Sequence, residues 1–220
     1  MTRRLRILVT AFGPFPGVPL NPSQRTARDL LRLRRPALAD VEIVFEILPT
    51  RWSVLPHLDT LMDEQAFDGV LLLGVAARRR HVGLEARAMN AARPFPDAQG
   101  RHPPGRRLAP RGPDDYRSTA PVLPWASALR RCGIAAAASG DAGRYLCNAA
   151  YFHALAAAQA CARSKGAVPP VLFIHLPGRS GIPHGASRAS LARGFSGLLV
   201  ALAAEARRRR GRIRSDCPAT

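Results

Sequence analysis

A chain of 220 residues, 47% of them hydrophobic, is large enough for one α/β domain with a real core and too short to need several. A formal net charge of +18 raises a polyanion as a partner. However, Lys165 is the one lysine among the 33 basic residues, and the arginines are scattered from Arg3 to Arg214. Such scatter reads as a solvated basic surface, and nucleic acid is not expected as a partner.

In chain order, residues 7–10 are a short apolar run that opens onto the turn-rich segment Gly13-Pro14-Phe15-Pro16-Gly17, the pattern of a buried strand feeding a loop. Asn21-Pro22-Ser23 then starts a helix, Asn as cap and Pro in the first position, running to about Leu33. A strand is expected over residues 41–47. Ser53 heads a helix to about Phe67, with Leu58, Leu61 and Met62 on one face. The wholly apolar residues 70–73, closed by Gly74, make a third strand. This alternation implies an α/β fold: a single domain with an open, twisted, mostly parallel sheet and helices on both faces.

Residues 93–124 are rich in Pro, Gly, Arg and Asp and read as a long irregular excursion of the kind used for lids or subunit contacts. A helix at 125–131 and a small-residue strand at 134–139 lead to Ser139-Gly140-Asp141-Ala142-Gly143-Arg144-Tyr145-Leu146-Cys147-Asn148, after which an alanine-rich helix follows. Residues 170–175 form a buried strand ending in His175, and a last helix is expected at 187–209. The domain is expected to end at residue 206. Residues 207–220, dense in arginine, read as a basic, flexible tail.

The cysteines at 132, 147, 161 and 217 form no C-x-x-C pair and no zinc-like spacing with histidines, so no disulfide framework or metal site is expected. No phosphate loop, dinucleotide fingerprint, H-E-x-x-H or G-x-S-x-G is present, and no cofactor is expected. The apolar run near the N-terminus stops at Gly13-Pro14, unlike a signal peptide. Arg193 and Glu205 keep the longest later stretch below the roughly 18 apolar residues of a membrane span. A cytoplasmic protein without membrane association is the expectation.

Chemistry concentrates in three places. Cys147 stands at or near a helix start, where free N–H groups and the helix dipole favour a thiolate and can hold an oxyanion. The same pattern fits a buried structural cysteine. His175 closes a strand at the rim where open α/β sheets place ligands. Glu85 follows the strand ending at Gly74 and reads either as a carboxylate orienting the histidine or as a surface salt bridge to a nearby arginine.

Together, Thr10-Ala11-Phe12-Gly13-Pro14-Phe15 with Asn21-Pro22-Ser23, the segment from Gly74 through Glu85 to Asn90, Tyr116-Arg117-Ser118-Thr119-Ala120-Pro121, Ala142 to Asn148, and Phe173-Ile174-His175-Leu176-Pro177 resemble the pyroglutamyl peptidase (pyrrolidone-carboxylate peptidase) family, in order and over nearly the whole chain. The resemblance implies a cysteine peptidase that removes an N-terminal pyroglutamate. It puts the nucleophile on Cys147, the general base on His175 and the orienting acid on Glu85. It further implies that Phe12 and Phe15 line the lactam pocket. Asn21 becomes a substrate-binding candidate, with helix capping as its other reading, and Arg93 a candidate for oxyanion support. A homotetramer acting on pyroglutamyl peptides is also implied. The chain departs from the family pattern at Arg78, at the longer run from Arg93 to Asp97, at Arg117 and in its arginine-rich C-terminus. Two other readings remain open: the same triad acting on another small acyl amide, and a basic polyanion-binding protein on this scaffold.

Overall fold

Leu5–Phe12 (β1) is buried along its length except at Arg6, because helices cover both faces of the sheet to which it belongs. Its alternate residues face opposite ways. Ile7 and Val9 enter one core layer with Leu30, Leu129, Phe195 and Leu199, while Leu8 and Phe12 enter a second with Leu58, Phe152 and Leu155. Each such side chain contributes about 1.5–3 kcal/mol by leaving water. The computed structural model describes residues 3–15, 17–178 and 180–215.

The other strands are β2 (Val41–Leu48), β3 (Gly69–Ala76), β4 (Val82–Glu85), β5 (Arg87–Met89), β6 (Asp115–Arg117), β7 (Ala136–Ser139) and β8 (Val171–Pro177). The main sheet has the order β2-β1-β3-β8-β4-β7 and is parallel throughout, except that β4 runs against β8. Helices α1 (Pro22–Arg32), α3 (Val122–Arg131) and α5 (Arg188–Ser215) cover one face, and α2 (Val54–Glu64) and α4 (Leu146–Lys165) the other. The expected fold class is therefore the observed one.

Several details differ from the sequence reading. Strand β4 was not expected; a four-residue run containing Gly83 and ending in a charge has little strand character alone, and its neighbours β8 and β7 define it. The irregular excursion contains β6, which pairs antiparallel with β5. The boundary expected at residue 206 falls inside α5, which continues to Ser215. Arginine is a good helix former, and Glu205 pairs with Arg209 at 2.6 Å and also with Arg208, both at helical spacing. Residues 216–220 of the expected tail lie outside the described residues.

By length and composition, Arg188–Arg212 of α5 would suffice to cross a membrane, contrary to the sequence reading. Here its apolar stripe, Leu191, Phe195, Leu198, Leu199, Leu202 and Ala206, is instead spent on the core beneath it.

Candidate active site

The site is built where β3, β8 and β4 lie side by side. In register, His175 of β8 has Gly74 of β3 on one side and Gly83 of β4 on the other. Directly paired residues point to the same face, so His175, Gly74, Gly83 and, two residues on, Glu85 all share the face covered by α4. Glycine at 74 is a matter of space. A Cβ there would come within 2.7 Å of Phe173 Cζ and 2.9 Å of Cys147 Sγ, closer than real contacts allow. The missing side chain admits the thiol, carried on the second residue of α4, to the sheet next to His175's strand.

His175 Nδ1 lies 2.7 Å from Glu85 Oε1, with the histidine 4% exposed and the glutamate fully buried. Arg79 Nη1 donates to the same Oε1 at 2.6 Å. A carboxylate paired with a guanidinium only accepts, so Nδ1–H is the donor and Nε2 is left as the basic nitrogen. Glu85 thus contacts both His175 and an arginine, and its salt bridge is part-buried where the sequence reading had placed one on the surface. Tyr151 of α4 donates its hydroxyl to the Glu85 carbonyl at 2.9 Å. Asn148 holds the start of α4 to the chain beyond Glu85, accepting from Met89 N at 2.8 Å and donating to the carbonyls of Met89 and Ala91.

The thiol itself departs from expectation. Burial pushes the Cys147 pKa up to about 12. Hydrogen bonds from the Val75 N–H and from Cys147's own N–H, and the Arg79 charge, pull it down, while Glu85 adds to the rise. The helix start does supply N–H groups, as the sequence indicated, but desolvation outweighs them. The folded chain therefore holds this proton to higher pH than the unfolded chain. The associated stability is full below the unfolded value of about 8.5 and is lost as pH climbs toward the folded one. In a Cys132→Ser background, which removes an exposed thiol, iodoacetamide labelling of Cys147 followed by peptide mapping should keep accelerating beyond pH 9. A plateau reached below pH 8 would mean a preformed thiolate and contradict this account.

The remaining candidate residues are placed as follows. Phe12 is 4% exposed and packs with Leu48 and Trp52 as core, its N–H donating to Ser23 Oγ at 3.2 Å. Phe15 is half-buried in the short loop it closes with Val18. Asn21 is buried and both ends of its amide are used within the protein. Its oxygen accepts from Ser23 N at 3.0 Å as the cap of α1, and its nitrogen donates to Gly13 O at 2.9 Å. It positions the Phe12–Phe15 loop, so the capping reading, and not direct substrate contact, describes its bonds. Arg93 is exposed, and its N–H donates to Arg144 O at 2.8 Å, which sets its backbone against the turn that enters α4.

The excursion is anchored beside this turn. Asp97 accepts from the N–H groups of Trp52, Gln99 and Arg101 at 2.8–3.0 Å, and Tyr145 donates to Pro96 O at 2.9 Å with its ring edge-on to Trp52. Sequence reasoning missed Arg79, Asn148, Tyr151 and Asp97 as parts of the site. Asn148 carried a signal by adjoining Cys147, and Arg79 and Asp97 by lying in segments compared with the family pattern; Tyr151 carried none.

A buried histidine–carboxylate pair beside a thiol at a helix start is the chemistry of a thiol-dependent hydrolase, the class this fold and site define. Residues 5–191 match the profile of the family described as pyroglutamyl peptidase. Over 177 residues the chain is 34% identical to a pyrrolidone-carboxylate peptidase of Pseudomonas fluorescens, covering 78% of each. Among solved structures, pyroglutamyl peptidase I of Bacillus amyloliquefaciens superposes with a TM-score of 0.75 at 26% identity, covering 91% of this chain and 97% of that one. The pyrrolidone carboxyl peptidase of Fervidobacterium islandicum gives 0.76 at 25% identity, covering 90% and 98%. The chain belongs to the pyroglutamyl peptidase family and is a cysteine peptidase of that type.

Proposed function

We propose that this protein hydrolyses the amide bond after an N-terminal pyroglutamyl residue of peptides, with Cys147 as nucleophile, His175 as general base and Glu85 as the acid that orients it. The observation that carries the assignment is the buried 2.7 Å Nδ1–Oε1 contact, on the sheet face where Gly74 admits the thiol. His175 Nε2 takes the thiol proton as sulfur attacks the pyroglutamyl carbonyl carbon, and the carbonyl π electrons move to oxygen. Collapse of the tetrahedral intermediate expels the amine, which leaves with the proton from His175. Water, activated by the same nitrogen, then cleaves the thioester and returns the thiol. Because the resting thiol holds its proton, proton transfer accompanies attack, and Glu85 offsets the imidazolium charge at that moment. The N–H groups of Val75 and Cys147 already converge on the sulfur and are well sited for the oxyanion, with Arg93 as the further candidate.

A flat, uncharged lactam suits a wall such as half-exposed Phe15, whereas an ordinary ammonium N-terminus would be desolvated without a partner. A panel of coumarin amides of pyroglutamate, proline, glutamine and acetylglutamine tests this. Cleavage restricted to pyroglutamate is expected, and preference for another acyl group would reassign the substrate. A cytoplasmic location and a homotetramer belong to the same reading. The first is supported by the free thiols of Cys132 and Cys147. The second is supported by family resemblance, and light scattering at four times the chain mass checks it. Partners of nucleic-acid type stay outside the reading, supported by the pairing of Arg3, Arg207, Arg208 and Arg209 with nearby carboxylates.

A further inference from the structure

Glu85 presents a physical problem that the triad assignment leaves unsolved. It is fully buried, and its Oε2 has no hydrogen-bond partner among the described residues. An isolated carboxylate in such a place would take up a proton and stay neutral. A neutral acid would neither hold the His175 Nδ1–H as firmly nor offset an imidazolium charge.

Arg79 answers this. It lies between β3 and β4, in the middle of Arg78-Arg79-Arg80, whose outer members are exposed. Its Nη1 donates to Glu85 Oε1 at 2.6 Å, the oxygen that also faces His175. Its Nη2 donates to Ser139 Oγ at 2.9 Å and to the Asp141 carbonyl at 2.6 Å, at the start of the turn that leads to Cys147. One cation thus ties the acid's strand to the segment that delivers the thiol.

A second, independent feature is Gly83. Its φ is not positive, so backbone conformation does not call for glycine there. Space does: a Cβ at 83 would sit 1.9 Å from Arg79 Nη1, 3.2 Å from Cζ and 3.3 Å from Glu85 Oε1. The guanidinium reaches Glu85 by crossing β4 over the bare backbone of Gly83.

We propose that Arg79 is a positioning residue of the triad, holding the Glu85 carboxyl group with Oε1 set against His175 Nδ1, across the bare backbone that Gly83 leaves in its path. The proposal rests on the reading of Cys147, His175 and Glu85 given above. The charged and titratable groups meeting here are Glu85, His175, Arg79, Cys147 and the Tyr151 phenol of α4, with Tyr145 and Asp141 at the margin.

The test compares native protein with Arg79→Gln, Arg79→Lys and Gly83→Ala, each first shown to unfold cooperatively. It measures kcat and KM on pyroglutamyl aminomethylcoumarin from pH 5 to 9 and the downfield proton resonance of His175 Nδ1–H. Arg79→Gln should lower kcat on the order of 10²-fold with KM nearly unchanged. Its acid limb should move, because the His175–Glu85 pair loses the cation in direct contact with it. Arg79→Lys should restore the acid limb better than kcat, since lysine supplies charge without the fork. Gly83→Ala should shift the guanidinium tip and move kcat and the resonance in the same direction as Arg79→Gln, by a smaller amount. The His175 resonance should be lost or moved in Arg79→Gln and Gly83→Ala. A folded Arg79→Gln with native kcat, acid limb and resonance would overturn the proposal, as would a loss confined to KM. If the native protein cleaves no pyroglutamyl amide, the catalytic reading fails, and the resonance alone still decides whether Arg79 sets the His175–Glu85 pair.

Discussion

Gly74→Ala should lower turnover by about 10²-fold or more while leaving a folded protein. The added methyl would lie 2.7 Å from Phe173 Cζ and 2.9 Å from Cys147 Sγ, so ring and thiol must both yield. Phe173 is fully buried, with its ring centroid 5.5 Å from Tyr151 and 4.7 Å from His175, and it has little room to retreat. Overpacking of this kind costs about 1–3 kcal/mol of stability. The catalytic cost is larger, because displacing a nucleophile by an ångström is worth about 10²-fold or more. Urea denaturation beside steady-state kinetics separates the two effects. A variant with a native denaturation midpoint and native kcat would show that the thiol does not need this space.

Glu85→Gln is the second large effect. The amide keeps the shape of the side chain but removes the charge that fixes Nδ1–H and offsets the imidazolium. Losing the corresponding acid from a histidine-based triad lowers kcat by roughly 10⁴-fold, and a similar collapse is expected here. Stability should fall as well, because Arg79 would keep Ser139 Oγ and the Asp141 carbonyl but lose its anion. Double-mutant kinetics make this sharper. If Arg79 acts through Glu85, Arg79→Gln added to Glu85→Gln should cost little beyond the single change, whereas independent roles would give multiplied losses.

The sequence disclosed the strands that are apolar enough to be buried on both faces, β1, β3 and β8, and the α4 thiol and β8 histidine that top this layer. Resemblance to the family paired them with Glu85 before any geometry was available. What stayed hidden depends on neighbours distant in the chain. Strand β4 is recognisable only once β8 and β7 are in place on either side of it. Composition does not separate the three members of Arg78-Arg79-Arg80; folding half-buries the middle one and leaves its neighbours exposed. The raised thiol pKa was misread for the same reason. A helix start is a local feature, while the desolvation that overcomes it comes from the sheet against which α4 packs. Asn21 could be read as a cap from Asn-Pro-Ser alone, but its second bond, to Gly13, joins the cap to the loop that carries Phe15.

The central claim, that Cys147 is the nucleophile of a pyroglutamyl peptidase, is tested most directly by release of aminomethylcoumarin from its pyroglutamyl amide. Native protein and Cys147→Ser are compared at neutral pH under reducing conditions, with matched unfolding curves. The account requires release by the native protein and its loss in the serine variant, whose hydroxyl is a far weaker nucleophile in the same place. Release that persists in a folded Cys147→Ser protein would contradict it.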